Sequence, residues 1–134
     1  MASDLLVVGL ILLRRGDYAN AKVNLDKQIE LFKSADDWLY LPTGLNARAT
    51  YYTKVGNYPC AIADLREALD ISQRTGATFG QWYSFLNLSQ LHLAKSEHQA
   101  ARRFLDKAMS LEGMEDYKFR DREIVQLQNS LSHI

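Results

Sequence analysis

The sequence predicts an all-α protein built as a solenoid of three helix pairs that is closed by one further helix. The first observation is an internal repeat, because displacing the 134-residue sequence by 40 residues brings three segments into register. The second is that apolar residues in each segment recur at the three- and four-residue spacing of amphipathic helices. The third is the low content of two prolines and seven glycines, which favours helices over a β-sandwich or barrel.

The repeat contains columns of small residues that suit close helix packing. One column would let the first helix of each pair (A) approach the second (B), and it holds Gly9, Ala49 and Ser89. Another marks the point where B crosses A, and it holds Ala21, Ala61 and Ala101. A core-facing leucine follows one turn later in each copy, at positions 25, 65 and 105. A larger side chain at the alanine column would separate the two helices.

The turns between A and B are also recognisable. Gly16 and Gly56 can take the positive φ that ends an A helix. Tyr18 and Tyr58 follow them and would fill the gap between the helices. The third copy has Ser96 and His98 at these positions, so its turn departs from the pattern.

These columns place six helices, and an apolar stripe near the C-terminus predicts a seventh. The predicted A helices span 3–15, 42–55 and 79–95, the B helices span 18–34, 58–75 and 98–111, and the final helix spans 116–132. The corresponding repeats cover about 2–41, 42–81 and 82–114 of a single domain. The final helix has an apolar stripe at Tyr117, Ile124, Leu127, Leu131 and Ile134. One apolar and one polar face are typical of a solenoid cap, with Asp116 as its expected N-cap.

Two of the repeated segments resemble the second half of a tetratricopeptide repeat. They are GDYANAKVNLDKQIEL and GNYPCAIADLREALDI, and the third copy, SEHQAARRFLDKAMSL, keeps the alanine and leucine positions. The resemblance implies a right-handed α–α superhelix that binds a protein or peptide, with no catalytic activity and no cofactor. Residues 41–134, with LPTGLNARA, AIADLREALDISQRTG and YKFRDREI, are also similar to the C-terminal repeat region of bacterial signal-transduction ATPases of the STAND type. That similarity implies a sensor role within a larger signal-transduction protein.

Composition argues against several other classes of function. Lys plus Arg equals Asp plus Glu at 16 each, and this balance argues against nucleic-acid binding. The single cysteine, Cys60, cannot form an internal disulfide, which favours a reducing, cytoplasmic setting. The apolar run at 5–13 is much shorter than the roughly 20 residues that span a bilayer, so no membrane insertion is expected.

The N-terminal helix has no polar face of its own. Leu6, Leu10 and Leu13 would form an exposed apolar patch at an open solenoid end. We therefore expect either that the chain is a fragment of a longer protein, with further repeats before it, or that it self-associates through this patch.

The inner face of such a superhelix is lined by A helices and is the expected ligand site. The family's inward positions correspond to Ser3, Leu6, Leu10, Leu13 and Arg14, to Thr43, Asn46, Thr50, Thr53 and Lys54, and to Tyr83, Leu86, Gln90 and Leu93. The predicted binding residues are Arg14, Asn46, Thr50, Thr53, Lys54, Tyr83 and Gln90. The polar side chains could hydrogen-bond an extended peptide, and Arg14 and Lys54 could attract an acidic group. The alternative is that this face is only a solvated surface.

The links between repeats are rich in aromatic residues, at Trp38, Tyr40, Phe79, Trp82 and Tyr83. We interpret them as packing between repeats, and a binding surface is the alternative. The histidines are His92, His98 and His133, and their spacing with Cys60 fits no metal site. Phosphate-binding and nucleophile motifs are absent from the sequence, so we expect no catalytic residues.

Overall fold

The computed structural model describes residues 2–111 and 122–132, and within these ranges the chain is helical with no strand. Side chains are described for residues 8–111 and 126–131. The helices are α1 (Ala2–Arg15), α2 (Tyr18–Ser34), α3 (Leu41–Lys54), α4 (Tyr58–Thr75), α5 (Thr78–Ala94), α6 (His98–Met109) and α7 (Arg122–Ser132). The predicted bounds of the six A and B helices are confirmed to within two residues at each end. The expected start of the last helix at 116, with Asp116 as its cap, lies outside the described residues.

The helices pack in chain order as a helical repeat solenoid. Each A helix (α1, α3, α5) packs against the B helix that follows it (α2, α4, α6) and, from α3 onward, against the B helix before it. Neighbouring A helices also contact each other, whereas neighbouring B helices have at most marginal contact. The stack therefore curves with the A helices on its inner side.

The columns of small residues lie where the helices cross, as the repeat predicts. A Cβ atom on Gly9 would lie 2.9 Å from Cδ2 of Leu25, so α1 and α2 could not approach as closely with any other residue there. Ala21, Ala61 and Ala101 are each completely buried. In the third pair the Ser89 hydroxyl donates a 2.7 Å hydrogen bond to the Ala101 carbonyl, which satisfies a buried polar group between α5 and α6.

The three A-to-B turns share one backbone geometry despite their different residues. Gly16 and Gly56 have φ of 78° and 80°, in the left-handed region that glycine favours. Ser96 takes the same region with φ of 61°, so the third turn is retained without its glycine. The Oε1 atom of Glu97 lies 2.9 Å from His92 Nδ1 and 3.2 Å from Lys95 Nζ. The hydrogen bond with His92 is the main cause that lowers the pKa of the Glu97 carboxyl.

The helix α7 covers the end of the last pair, as expected of a cap. Leu127 and Leu131 are 4% exposed and belong to the core of the second and third pairs, whereas Gln126 and Asn129 are exposed. Arg102 of α6 donates a 2.6 Å hydrogen bond to the Leu131 carbonyl. The other expected stripe residues, Tyr117, Ile124 and Ile134, lie outside the described side chains.

An ion network joins three helices around Arg48 of α3. Its Nε and Nη2 atoms each donate a 2.8 Å hydrogen bond to the carboxylate of Asp64 on α4. Its Nη1 atom lies 3.0 Å from Asp26 on α2, which also pairs with Lys22. The hydrogen bonds with Asp64 are the main cause that raises the pKa of Arg48, so the guanidinium stays charged. The network holds α3 between the B helices on its two sides.

The first pair requires one correction to the predicted apolar patch. Leu13 is only 4% exposed and packs with Ala21, Leu25 and Ala47, so it belongs to the core. Leu10 is 37% exposed, and its neighbours Val8 and Ile11 are each 43% exposed. The side chain of Leu6 lies outside the described residues. The apolar surface of α1 is therefore formed by Val8, Leu10 and Ile11 among the described side chains.

Candidate peptide-binding groove

The A helices and α7 enclose a groove on the inner side of the solenoid. Its volume is about 740 Å³. It is lined by Leu10, Leu13, Arg14, Arg15, Gly16, Tyr18, Thr50, Lys54, Tyr83, Asn87, Gln90 and Gln126. The structure thus brings together five of the seven predicted binding residues, which come from three different repeats.

The charged residues in the described lining of this groove are all basic. Arg14 and Arg15 end α1, Lys54 ends α3, and all three are exposed. The lining contains no aspartate or glutamate among the described residues. In the part of the chain that the structure describes, these three cations form no ion pair. A cationic groove in a chain of zero net charge is complementary to an anionic ligand.

Two threonines on α3 add hydrogen-bonding capacity next to Lys54. Thr50 and Thr53 line a smaller recess of about 170 Å³, together with Ala49, Lys54, Asn87 and Gln90. Each threonine hydroxyl donates to the carbonyl one turn earlier, Thr50 to Asn46 at 3.1 Å and Thr53 to Ala49 at 2.9 Å. Because the hydroxyl protons are used within the helix, the oxygen lone pairs are available to accept from a ligand N–H.

Asn46 is buried, whereas the sequence predicted that it would contact a ligand. It is 1% exposed, and its Nδ2 atom donates to the Pro42 carbonyl at 2.9 Å and to Ser84 Oγ at 3.1 Å. Its Oδ1 atom accepts a 2.9 Å hydrogen bond from Asn87 Nδ2. The expected hydrogen bond from Asn46 to a ligand is corrected accordingly, since its amide is used to hold α3 against α5.

An apolar pocket opens beside the groove, between the N-terminal ends of α3 and α5. Its volume is about 370 Å³. It is lined by Leu39, Pro42, Thr43, Asn46, Ala77, Phe79, Gly80 and Tyr83. Tyr83 lines both the pocket and the groove, so the two adjoin at this residue.

Gly80 sets the shape of this pocket. A Cβ atom at this position would collide with Ser72 of α4, so α5 begins in close contact with α4. In the first unit the corresponding residues are Tyr40 and Phe32, whose rings stack with centroids 6.1 Å apart. The second junction between repeats therefore has glycine and serine at the positions where the first junction has two stacked rings.

The aromatic residues of the links divide into two groups. Trp82 is 2% exposed and packs in the core, as the packing interpretation predicts. Trp38, Tyr40 and Phe79 are between 49% and 55% exposed, and Leu39 beside them is 75% exposed. About half of each of these aromatic side chains faces solvent at the rim of the apolar pocket or in the link that leads to it.

Sequence reasoning missed several lining residues. Asn87 lies one turn after Tyr83 and three residues before Gln90, so helical spacing alone could have placed it on the same face. Gln126 comes from α7, whose position over the groove has no counterpart in the repeat pattern. The pocket around Gly80 was also missed, because Gly80 lies in none of the small-residue columns of the repeat.

Candidate residues for other chemistry are dispersed. His92 stacks on Phe104 with ring centroids 5.2 Å apart, and His98 lies on the next helix, so the two histidines belong to different helices. Cys60 is exposed in the first turn of α4, and His133 lies outside the described residues. Within the described ranges, no group of three or more His, Cys, Asp or Glu side chains could hold a metal ion. None of the helices described is long and apolar enough to cross a membrane.

Comparison with known proteins addresses the repeat directly. A model of the tetratricopeptide repeat family matches residues 43–75, which cover most of α3 and all of α4. No curated protein matches the chain significantly. The similarity to bacterial signal-transduction ATPases is not tested by these comparisons and stays a prediction. Residues 43–75, in the helix pair of α3 and α4, therefore match the tetratricopeptide repeat family within a helical repeat solenoid, and this match suggests a protein–protein interaction module.

Proposed function

We propose that this chain binds an extended, acidic peptide segment of a partner protein in the groove lined by α1, α3 and α5. The observation that carries the proposal is the set of three exposed cations, Arg14, Arg15 and Lys54, in a groove whose described lining has no acidic residue. Thr50, Thr53 and Gln90 supply uncharged hydrogen-bonding groups along the same face. The chain thus acts as an adaptor or sensor module and not as an enzyme.

The groove suits an extended chain better than a compact ligand. Its polar groups lie along the C-terminal turns of α3, at Thr50, Thr53 and Lys54, and along α5, at Asn87 and Gln90, so several backbone groups of a peptide can each meet a side chain. Charge-assisted hydrogen bonds from the arginine and lysine groups are the strongest contacts available there. Because these cations are exposed, the affinity for an acidic peptide should fall as ionic strength rises.

The test reverses the charge of the groove in the double variant Arg14→Glu, Lys54→Glu. We expect the affinity for an acidic peptide, selected from a random library on the immobilised wild-type chain, to fall by at least about tenfold, because a hydrogen bond to a charged group contributes about 1.5–3 kcal/mol. Fluorescence polarisation measures the Kd. The matched control is Arg66→Glu, Arg103→Glu, which makes the same change in charge at exposed positions of α4 and α6. Equal affinities for the groove variant and the wild type would contradict the proposal.

Self-association is a second candidate function, which the apolar surface of α1 supports. Val8 and Ile11 lie three residues apart on one face of α1 and are each 43% exposed, whereas Leu10 lines the groove. Two copies that pair through this surface would remove it from water. Sedimentation velocity at increasing concentration should then show a dimer that Ile11→Glu converts to monomer. A wild-type chain that stays monomeric at high concentration would exclude this function.

A further inference from the structure

The apolar pocket between α3 and α5 faces the same side as the groove and contains no charged residue in its described lining. Its volume of about 370 Å³ is enough for one bulky side chain and falls in the range of small-ligand sites. Leu39 and Phe79 line it while remaining 75% and 55% exposed, so a large apolar surface faces solvent there. Covering such a surface is favourable in proportion to its area.

We propose that this pocket anchors one bulky apolar side chain, aromatic or leucine-like, of the same acidic peptide that the groove binds. The inference rests on the proposed function of the groove. Its basis is adjacency, because Tyr83 lines both sites. The two adjoining sites differ in chemistry: the pocket is apolar and uncharged, and the groove carries Arg14, Arg15 and Lys54.

The geometry of α3 sets the spacing between the two features of the peptide. Thr43 lines the apolar pocket and Lys54 lies at the cationic end of the groove, eleven residues later on the same helix. At the rise of an α-helix this separation is about 16 Å. An extended peptide advances about 3.3 Å per residue, so the apolar and acidic residues should lie about five positions apart. Peptides with much shorter or longer spacing can fill only one of the two sites.

The probes are blocked, fluorescently labelled peptides that carry one tryptophan and a pair of glutamates in a serine–threonine background. The spacing between tryptophan and glutamates varies along the series, and each peptide has a partner in which tryptophan is replaced by serine. We expect the tryptophan to strengthen binding by about tenfold at the spacing of about five, in line with the burial of one bulky apolar side chain. We expect little gain at the other spacings.

The protein variant that tests the pocket is Leu39→Ser, and its control is Val23→Ser. Val23 is 65% exposed on α2, away from the groove, so both changes remove a well-exposed aliphatic side chain. Leu39→Ser should remove most of the gain from tryptophan and leave the serine peptides unaffected, whereas Val23→Ser should change neither. A selective loss of this kind supports the pocket as the anchor site.

Three other outcomes would overturn the inference, and they differ in what else they imply. If the peptides bind in a Lys54-dependent manner and tryptophan adds nothing at any spacing, the anchor is absent and the groove function stands. If no peptide of the series binds, the groove function fails as well. If the chain dimerises and Leu39→Ser abolishes the dimer, the pocket belongs to a second copy of the chain.

Discussion

The Arg48→Met variant is expected to lose about 3 kcal/mol of the free energy of unfolding, because it leaves the nearly buried carboxylate of Asp64 without its partly buried charged partner. Asp64 is 5% exposed, and both of its carboxylate oxygens accept from Arg48 at 2.8 Å. Methionine retains much of the aliphatic volume of arginine and none of its five N–H donors. The loss therefore reports mainly the charge and the hydrogen bonds, and urea denaturation measures it.

The matched control for this prediction is Lys33→Met. Lys33 pairs with Glu67 between α2 and α4 at 3.2 Å, and both side chains are nearly half exposed. An exposed pair of this kind contributes about 0–1 kcal/mol. Asp64→Leu in the Arg48→Met background should restore part of the lost stability, because it removes the stranded carboxylate. Equal small losses for Arg48→Met and Lys33→Met would show that the network does not stabilise α3 between α2 and α4.

The Leu65→Ala variant is expected to lose about 2–5 kcal/mol of the free energy of unfolding, because it creates a cavity in the main core. Leu65 is completely buried in the cluster that also holds Trp82, Leu86 and Leu127, and this cluster extends from α3 to α7. In a repeat solenoid each unit depends on its neighbours, so the cavity should weaken both the second and the third pair.

Amide hydrogen exchange can locate this loss. Protection should fall in α3 to α6, whereas α2, whose Ala21 and Leu25 lie in a separate core cluster, should retain more of it. Leu31→Ala is the control, since Leu31 on α2 is 41% exposed and its truncation creates no buried cavity. A uniform loss of protection along the chain would contradict the division of the core into neighbouring units.

The sequence was sufficient to predict the repeat and its helices, because the residues that determine them are local and periodic. Gly16 and Gly56 mark two turns through their positive φ, and Ala21, Ala61 and Ala101 mark the crossings through their size. The third turn kept its geometry with Ser96, since the packing of α5 and α6 on either side determines the backbone there. Periodic features of this kind repeat three times, so an exception in one copy does not obscure them.

Contacts between repeats could not be predicted in the same way. The bidentate pair of Arg48 and Asp64 joins residues that sit in different columns, and neither column is charged throughout. Asn46 has a position typical of a ligand-binding residue, but its side-chain amide is hydrogen-bonded to Ser84 and Asn87 of α5. Leu13 likewise lies in the hydrophobic core, because residues of α2 and α3 pack over it. Each of these outcomes depends on the side chain that a neighbouring helix presents, which one periodic sequence does not specify.

The groove itself was partly predictable. The resemblance to tetratricopeptide repeats predicted Arg14, Lys54 and Gln90 on the inner face, and the structure brings them to one groove. The described lining around them has no acidic residue, and this depends on which residues of α5 and α7 line the rest of the groove. The apolar pocket depends on the close approach of Gly80 to Ser72, a contact between two helices that is visible only once they are packed.

The central claim is that the inner face of the solenoid binds an acidic peptide. The most direct test is a two-dimensional NMR titration of the ¹⁵N-labelled chain with the library-selected acidic peptide. We predict that the largest chemical-shift changes occur at the inner-face residues Thr43, Thr50, Lys54 and Gln90. Changes concentrated instead on exposed B-helix positions, such as Val23, Arg66 and Arg103, would contradict the claim.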